Sequence, residues 1–517
     1  MKKVILMLFI ASLVFMPVTL LAFPSVFPTG TTIYKPDKCW NGYTVLSLTM
    51  PRTHGESRGT RGVPLIDMNG NIVHTWKGAI AMPAQVLPGG RLMGTPYDIN
   101  VPGHTANAIA QFDFNGNIEW QFNRYAKITQ KTKDGKLKTI WSALQHHDLQ
   151  REPNPVGYYV PGMDPYVDKG RTLVHGRASA RDKGQTLYEV SWDGKILWKW
   201  SSSNFVDQIV TNTAVAGRPQ RPGASGPPGK AGKPGASGPP GKAGKPGASG
   251  PSGKAGKPGA SGGRKASMGN AASWLGPNKW YEAGDKRFHP DNIICDNLSD
   301  IIFIVSRETG KIVWQVGPDY SKYPQLDKFG LNRHKFPDGV QGGFSGGMLH
   351  HTHMIPKGLP GAGNILVFNN GLPYSIVTEF NPVTLEIVWE YSGLEIGYSE
   401  SHSLSHSFFS ATIGSAQRLP NGNTLICEGD DGRLFEVTAQ HEIVWEYIFP
   451  IYDWPGLGWG QKVRPPKMTN MVYRAYRVPY DYVPQLEEPD EMAVIPPENS
   501  MFMIEPEEGD SLPFHKY

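Results

Sequence analysis

Histidine is the residue type whose spacing in this chain most suggests chemistry. His350 is followed by a His-x-His-Met step at 351–354, and a His-His-Asp step stands at 146–148. His289 lies in Phe-His-Pro-Asp-Asn-Ile, three residues ahead of Asn292, while His402 and His406 share Ser-Glu-Ser-His-Ser-Leu-Ser-His. Neutral imidazole is a competent nucleophile and exchanges protons near neutral pH. His-x-His on a strand points both rings to one face, a chelate suited to zinc or copper and open to His289, His350, His351 and His353. No carboxylate pattern completes such a site, so neither a metal nor another cofactor is expected. His74, His146 and His147 read as solvent-exposed or hydrogen-bonded structural residues.

The cysteines add little. Cys39, Cys295 and Cys427 form no CxxC, CxxCH or zinc-type spacing, and an odd count leaves one thiol over even if two make a staple.

The elements that must hold these histidines are announced by repeats. A phrase of the form apolar-x-x-x-Gly-x-Ile-x-Trp recurs as LIDMNGNIVHTW at 65–76, QFDFNGNIEW at 111–120 and YEVSWDGKILW at 188–198. It returns as IVSRETGKIVW at 304–314, TEFNPVTLEIVW at 378–389 and LFEVTAQHEIVW at 434–445. Alternating apolar and polar residues about an Asn, Gly and Asp turn spell a hairpin. A second phrase, VLPGGRLMG at 86–94, GLPGAGNILVFNNG at 358–371 and RLPNGNTLICEG at 418–429, reads as a turn feeding a buried strand. Together they give about four strands per repeat, and six copies predict an all-β, six-bladed β-propeller. Trp120, Trp198, Trp314, Trp389 and Trp445 close their copies and are expected to pack blade against blade rather than stack on a ligand. Tyr473–Val483, with the early strand near Tyr34, is expected to close the ring.

Between the halves lies a different polymer. Gly occupies every third position from 223 to 262, with GASGPPGKAGKP nearly repeated. That period marks collagen-like polyproline-II chain able to wind as a triple helix, a rod of roughly 120 Å at ~3.1 Å per residue. A rod that long strains a self-contained ring, so self-association, as a trimer or an extracellular fibre, is expected. The insert carries six lysines and no acid, so the net charge of +5 overstates the basicity of the rest. No basic folded face invites nucleic acid.

At the ends, Lys2 and Lys3 precede an apolar run from Val4 to Ala22, an export signal with a cut after Ala22. The expected product is secreted, extracellular or periplasmic, with no stable membrane insertion after signal cleavage; an uncleaved anchor is the alternative. The divisions are then 1–22 signal, 23–216 amino-terminal blades, 217–263 insert, 264–483 carboxy-terminal blades, and 484–517 an acidic tail expected to be solvated.

The stretch FHPDNIICDNLSDIIFIVSRETGKIVWQVG at 288–317, together with HHDLQ at 146–150, HTHM at 351–354 and the run from PNGNTLI to EIVWEY ending at Tyr447, resembles the arylsulfotransferase family. The resemblance implies a six-bladed secreted propeller that moves a sulfuryl group from a phenolic sulfate ester to another phenol through a histidine. Carried over, His289 and Asn292 take the place of the family's first histidine and its asparagine, and His351 that of the second. His353 stands where the family is similar in having Asn. His402 or His406 takes the later nucleophilic position, and Asn370 falls in FNNGLPYS at 368–375, where the family's sulfate-binding Arg is missing. Arg474 or Arg477, from the closing strand, is the candidate replacement. A structural propeller of a collagen-linked matrix, weakened or inactive in catalysis, is the competing reading.

Overall fold

The computed structural model describes residues 29–48, 62–96, 105–131, 135–163, 169–177, 184–204, 269–297, 301–316, 349–371, 374–392, 408–451 and 470–495. Six antiparallel sheets of four or five strands account for nearly all the described strands, and a two-stranded hairpin, Ala126–Lys131 with Leu137–Ser142, stands apart. The first strands of the six sheets are Val472–Val478, Ala79–Leu87, Gln145–Arg151, Ala272–Trp274, Leu349–Met354 and Ser415–Arg418. Each touches the next, and the last returns to the first, so they line a common axis. The chain is a six-bladed propeller.

Every repeated phrase forms the third and fourth strands of one blade, which is why six copies give six blades. In Asp-x-Asn-Gly-Asn, Asp67 accepts Asn71 N and Asn71 Nδ2, both at 2.8 Å, and Asp113 holds Asn117 in the same way. Gly70 takes φ +83, and a Cβ there would meet the Tyr447 ring at 2.7 Å. The sequence supplies glycine where the chain turns left-handed against the neighbouring blade.

The blade-closing tryptophans share one role. Each indole N–H donates to a carbonyl of the following blade: Trp76 to Gly90 (3.1 Å), Trp120 to Trp192 (2.7 Å), Trp200 to Gly310 (2.9 Å), Trp314 to Pro382 (3.1 Å), Trp389 to Ala439 (3.3 Å) and Trp445 to Met68 (2.7 Å). In the third copy Trp198 packs, as expected, against the cluster shared with the fourth blade, while Trp200, two residues beyond it, makes the latch. Trp198 and Trp200 share a strand face because side chains repeat every second residue, and the site of the turn decides which reaches the neighbour's carbonyl.

The ring closes twice. Val472–Val478 becomes the innermost strand of the first blade by pairing with Tyr43–Leu48, and Gly30–Tyr34 adds an outermost strand to the last blade by pairing with Ile443–Ile448. The strand near Tyr34 therefore closes the last blade, separately from the terminal tyrosine-rich strand. No cysteine pairs; all three thiols are free, and burial pushes Cys39 up to about 12 and Cys295 further from its ordinary range.

The acidic tail, expected to be solvated, is docked over 484–495. Glu491 accepts from Tyr34 Oη (2.8 Å), Tyr480 Oη (2.6 Å) and Met68 N (2.8 Å), and Val494 pairs with Tyr34 through both backbone bonds. A carboxylate with three donors is anchored whatever the charge of its neighbours in sequence. The tail beyond 495, the signal segment and the Gly-X-Y stretch 223–262 lie outside the described residues. Among the described residues no helix is long and apolar enough to cross a membrane.

Antiparallel order places the blade-to-blade crossovers and the second-to-third strand loops on one face. The opposite face is plugged. Residues 152–163, leaving the inner strand of the third blade, return under the axis and bury Val156, Tyr158 and Val160 among residues of several blades. Gly157 makes the fit possible, since a Cβ there would lie 2.2 Å from Gln85 Nε2.

Candidate functional site

Two inner strands carry a His-His step at the same point. In both, the ladder register slips, between Gln145 and Leu149 in the third blade and between His350 and His353 in the fifth. The second histidine of each step takes left-handed backbone, with φ 70 at His147 and φ 51 at His351. A bulge in an innermost strand re-aims its side chains, and non-glycine residues at positive φ persist where surrounding contacts enforce them. His147 and His350 approach across the fourth blade's short strand to 6.2 Å between ring centroids.

The closing strand brings the partners. Tyr473 Oη donates to His147 O (3.0 Å) and lies 3.0 Å from His147 Nδ1. With its only proton on that carbonyl, the hydroxyl accepts from Nδ1–H, which leaves the His147 lone pair on Nε2. Arg474 Nη1 donates to Tyr476 Oη (2.9 Å), and Tyr476 Oη in turn lies 3.0 Å from His351 Nε2, so the tyrosine proton points at that nitrogen. Tyr158 of the plug makes the matching contact with His353 Nε2 (2.9 Å), whose Nδ1 donates to His351 O (2.8 Å). His350 Nδ1 meets Asn370 Oδ1, and Asn370 Nδ2 is committed to Ser410 O (2.6 Å) and Ile413 O (3.0 Å). Asn370 therefore presents its oxygen as acceptor, and His350 keeps its lone pair on Nε2.

Arg474 is the charge of the cluster. It is fully buried, pairs through Nη1 with Asp148 Oδ1 at 3.2 Å, and has no hydrogen-bond partner at Nε or Nη2. Burial alone would lower it; Asp148, Tyr476 and Tyr473 outweigh that and hold it above its ordinary range. Asp148 is pushed up by burial against the pull of Arg474, and it also accepts Leu149 N, Gln150 Nε2 and Ala272 N. The histidines are held neutral. Burial brings His350 down to about 3 and His353 to about 4, and drives His351 well below its usual range, with Arg474 adding to each. A buried guanidinium with two unused donors beside neutral imidazoles has the donor chemistry that an oxyanion takes.

The candidates from sequence divide. His351, His353, Asn370 and Arg474 come together at the axis. His289 does not: it sits half-buried in the turn between the first two strands of the fourth blade, its Nδ1 accepting Asp291 N (3.2 Å) and its ring against Tyr281. Asn292 is buried in the same turn, bound to Arg287 O and Arg307 N. This excursion packs on Gly363 of the next blade through Trp280, at the face where first strands end. Arg477 faces away from the axis, because three residues from Arg474 is an odd step on a strand. It pairs with Glu436 and reaches Thr44 and Trp40 O in the last seam. His402 and His406 lie outside the described residues.

Sequence reasoning set His147 aside and did not single out Tyr158, Tyr473, Tyr476 or Asp148. The available signal was the His-His step recurring at the start of two inner strands. His74 does fit a structural role, stacked on Phe114 in an outer strand. Among the described residues no three His, Cys, Asp or Glu side chains converge as a metal ion requires.

A pH dependence follows from these shifts. His350 and His353, with His175 at about 4, stay neutral while the unfolded chain takes up protons below about 6.5. Their stabilisation is complete above that pH and drains away as pH falls towards their folded values. Asp296 and Glu428, raised by burial to about 7, act oppositely, each keeping a proton the unfolded chain releases near pH 4, and Asp148 leans the same way. With His351 the histidines outnumber these carboxyls. The thermal midpoint, followed by circular dichroism, is expected to fall between pH 7 and pH 4.5; a rise would show that the carboxyls dominate.

No protein-family model matches the chain, and no curated protein matches it. Solved structures similar to it include a protein of unknown function from Bacteroides caccae, at 10% identity over 85% of this chain and 99% of that one, with a TM-score of 0.38. Sqt1 of Saccharomyces cerevisiae is similar at 7% identity over 81% and 91%, TM-score 0.35, and the Dos1 propeller at 10% over 81% and 73%, TM-score 0.33. The propeller assignment rests on the strand order itself.

Proposed function

We propose that the axial cluster transfers a sulfuryl group from a phenolic sulfate ester to a phenol, with His350 as nucleophile and Arg474 binding the sulfate oxygens. The observation that carries this reading is the buried Arg474, with two unused nitrogens, among imidazoles that burial keeps neutral. The His350 Nε2 lone pair attacks sulfur, the S–O(aryl) bond breaks, and its electron pair leaves on the phenolate. An incoming phenol then attacks sulfur, loses its proton to solvent, and displaces the imidazole with its lone pair restored. Asn370 positions the nucleophile by holding Nδ1–H. Arg474 would donate through Nε and Nη2 to the sulfuryl oxygens, where negative charge gathers.

The neutral imidazoles and the raised tyrosines release protons reluctantly. Donors whose phenols leave as phenolates are therefore expected to react fastest, p-nitrophenyl sulfate ahead of phenyl sulfate. Release of p-nitrophenolate in the presence of phenol is the test, with His350→Ala inactive and Asn370→Ala slowed by about 10²-fold, the scale of a mispositioned catalytic group. Equal turnover by His350→Ala would remove His350 from the role, and absence of turnover in the intact protein would remove the reaction.

The Gly-X-Y period supports a second property, self-association. The insert joins the strand Ile196–Ser201 to Ala272–Trp274, the outermost and innermost strands of adjacent blades. We expect the secreted, signal-cleaved protein to sediment as a trimer or larger, and deletion of 223–262 to leave a monomer. Monomers from both would confine the insert to a loop.

A further inference from the structure

Apart from the axis, the crossover face carries a cleft of about 450 Å³ beside the second blade. Ile80 and Pro96 contribute to its apolar side from the start of the inner strand and the end of the next, and Ile140 and Trp141 come from the hairpin standing off the blades. Its polar groups are the side-chain amides of Asn107, Gln121 and Asn123. The volume lies within the range of small-ligand sites, and an apolar wall with a few convergent polar groups is their usual composition.

Trp141 differs in kind from the latch tryptophans. Those are turned into the blade seams, whereas Trp141 keeps 41% of its surface exposed at the rim, with Lys127 Nζ 5.1 Å from its ring centroid. The lining holds no ionisable side chain. A sulfate, phosphate or carboxylate would find only the solvated Lys127 ammonium at the rim and would do better at the buried Arg474. Asn107 is buried with its Oδ1 accepting Ser142 Oγ at 3.0 Å, but Gln121 and Asn123 each offer both a donor and an acceptor, as a hydroxyl does, so two amides beside an indole match a ring with hydroxyls at its edge and C–H bonds on its face.

We propose that this cleft binds a neutral sugar ring, stacked on Trp141 and hydrogen-bonded at its rim by Gln121 and Asn123. The site is independent of the axial chemistry: it would anchor the propeller to a neutral glycan while the axis works on a different molecule. The cleft lies on the face from which the crossovers between blades depart, so a bound glycan approaches that face.

The experiment is a calorimetric titration of the full secreted chain with four neutral tetrasaccharides, of glucose, N-acetylglucosamine, galactose and mannose. Saturable binding of at least one is expected. It should weaken by about tenfold or more in Trp141→Ala, the size of losing one stacked aromatic anchor, and also weaken in Gln121→Ala, which leaves the hairpin intact. Arg474→Gln should bind as the parent does. Binding of none of the four, or binding that survives both cleft variants, overturns the proposal. Displacement of the sugar by p-nitrophenol would also overturn it, by making the cleft an aryl site. Failure of the sulfuryl-transfer assay would leave these results untouched.

Discussion

Arg474→Met is expected to lower stability by about 3–5 kcal/mol, because it leaves Asp148 buried without its counter-charge. It should also reduce aryl-sulfate turnover by at least about 10²–10³-fold, the range seen when a donor to a developing oxyanion is deleted. Either effect alone is ambiguous, since an unfolded enzyme is an inactive one. Adding Asp148→Asn separates them. The neutral amide no longer needs a cation and can still accept Leu149 N and Gln150 Nε2, losing only the longer bond from Ala272 N, so the double variant should regain part of the lost stability. It should regain no activity, because the guanidinium that faces the sulfate oxygens is still missing. Urea unfolding and p-nitrophenolate release measure the two quantities on the same preparations. A double variant that recovers turnover would assign Arg474 to structure alone. One that stays as unstable as Arg474→Met would mean that the ion pair is not what the arginine contributes to folding.

That pairing also shows what a sequence reveals and what it hides. The blades were legible because each hairpin carries its own local chemistry: a polar turn (Asp-x-Asn-Gly-Asn in the first two copies), alternation for the strands, and a tryptophan at the end. The function of the tryptophan was legible as packing, though its hydrogen bond to the next blade was not, and in the third blade that bond comes from Trp200 while Trp198 packs. The site was harder to read because it is assembled from residues remote in sequence. Arg474 meets Asp148 across 326 positions, and Tyr158 reaches His353 across 195. Such proximity arises from ring closure, for which no short motif exists. Motif matching set His289 beside His351, yet the chain holds His289 in a turn at the face where inner strands end. Period two would have separated Arg474 from Arg477 in advance, because residues an odd step apart on a strand face opposite sides. The tail misled through composition: its acids suggested solvation, but Glu491 has three donors waiting for it.

The seam between the last and first blades is where the ring is easiest to open, because only strand pairing and side chains hold the two ends of the chain together there. Trp445 is the centre of that seam. Its side chain is fully buried, its N–H reaches Met68 O at 2.7 Å, and Arg477 lies over its ring at 4.4 Å while pairing with Glu436. Trp445→Ala removes the latch, leaves a large void, and strips the guanidinium of its aromatic face, so a loss of about 3–5 kcal/mol is expected. Trp445→Phe keeps most of the volume and loses the donor; Met68 O retains Thr31 Oγ1 at 3.0 Å, so the loss is that of one hydrogen bond, about 0.5–1.5 kcal/mol. Trp389→Ala serves as the comparison, since that indole is half-buried and its bond to Ala439 is longer, at 3.3 Å. Urea midpoints should therefore fall furthest for Trp445→Ala, and less for both Trp445→Phe and Trp389→Ala. Because strand pairing at the seam must part before the blades can separate, Trp445→Ala should also unfold faster than its equilibrium loss alone would suggest for a residue buried within one blade. Equal midpoints for Trp389→Ala and Trp445→Ala would mean that the closure seam bears no more load than its neighbours, and that the ring opens elsewhere.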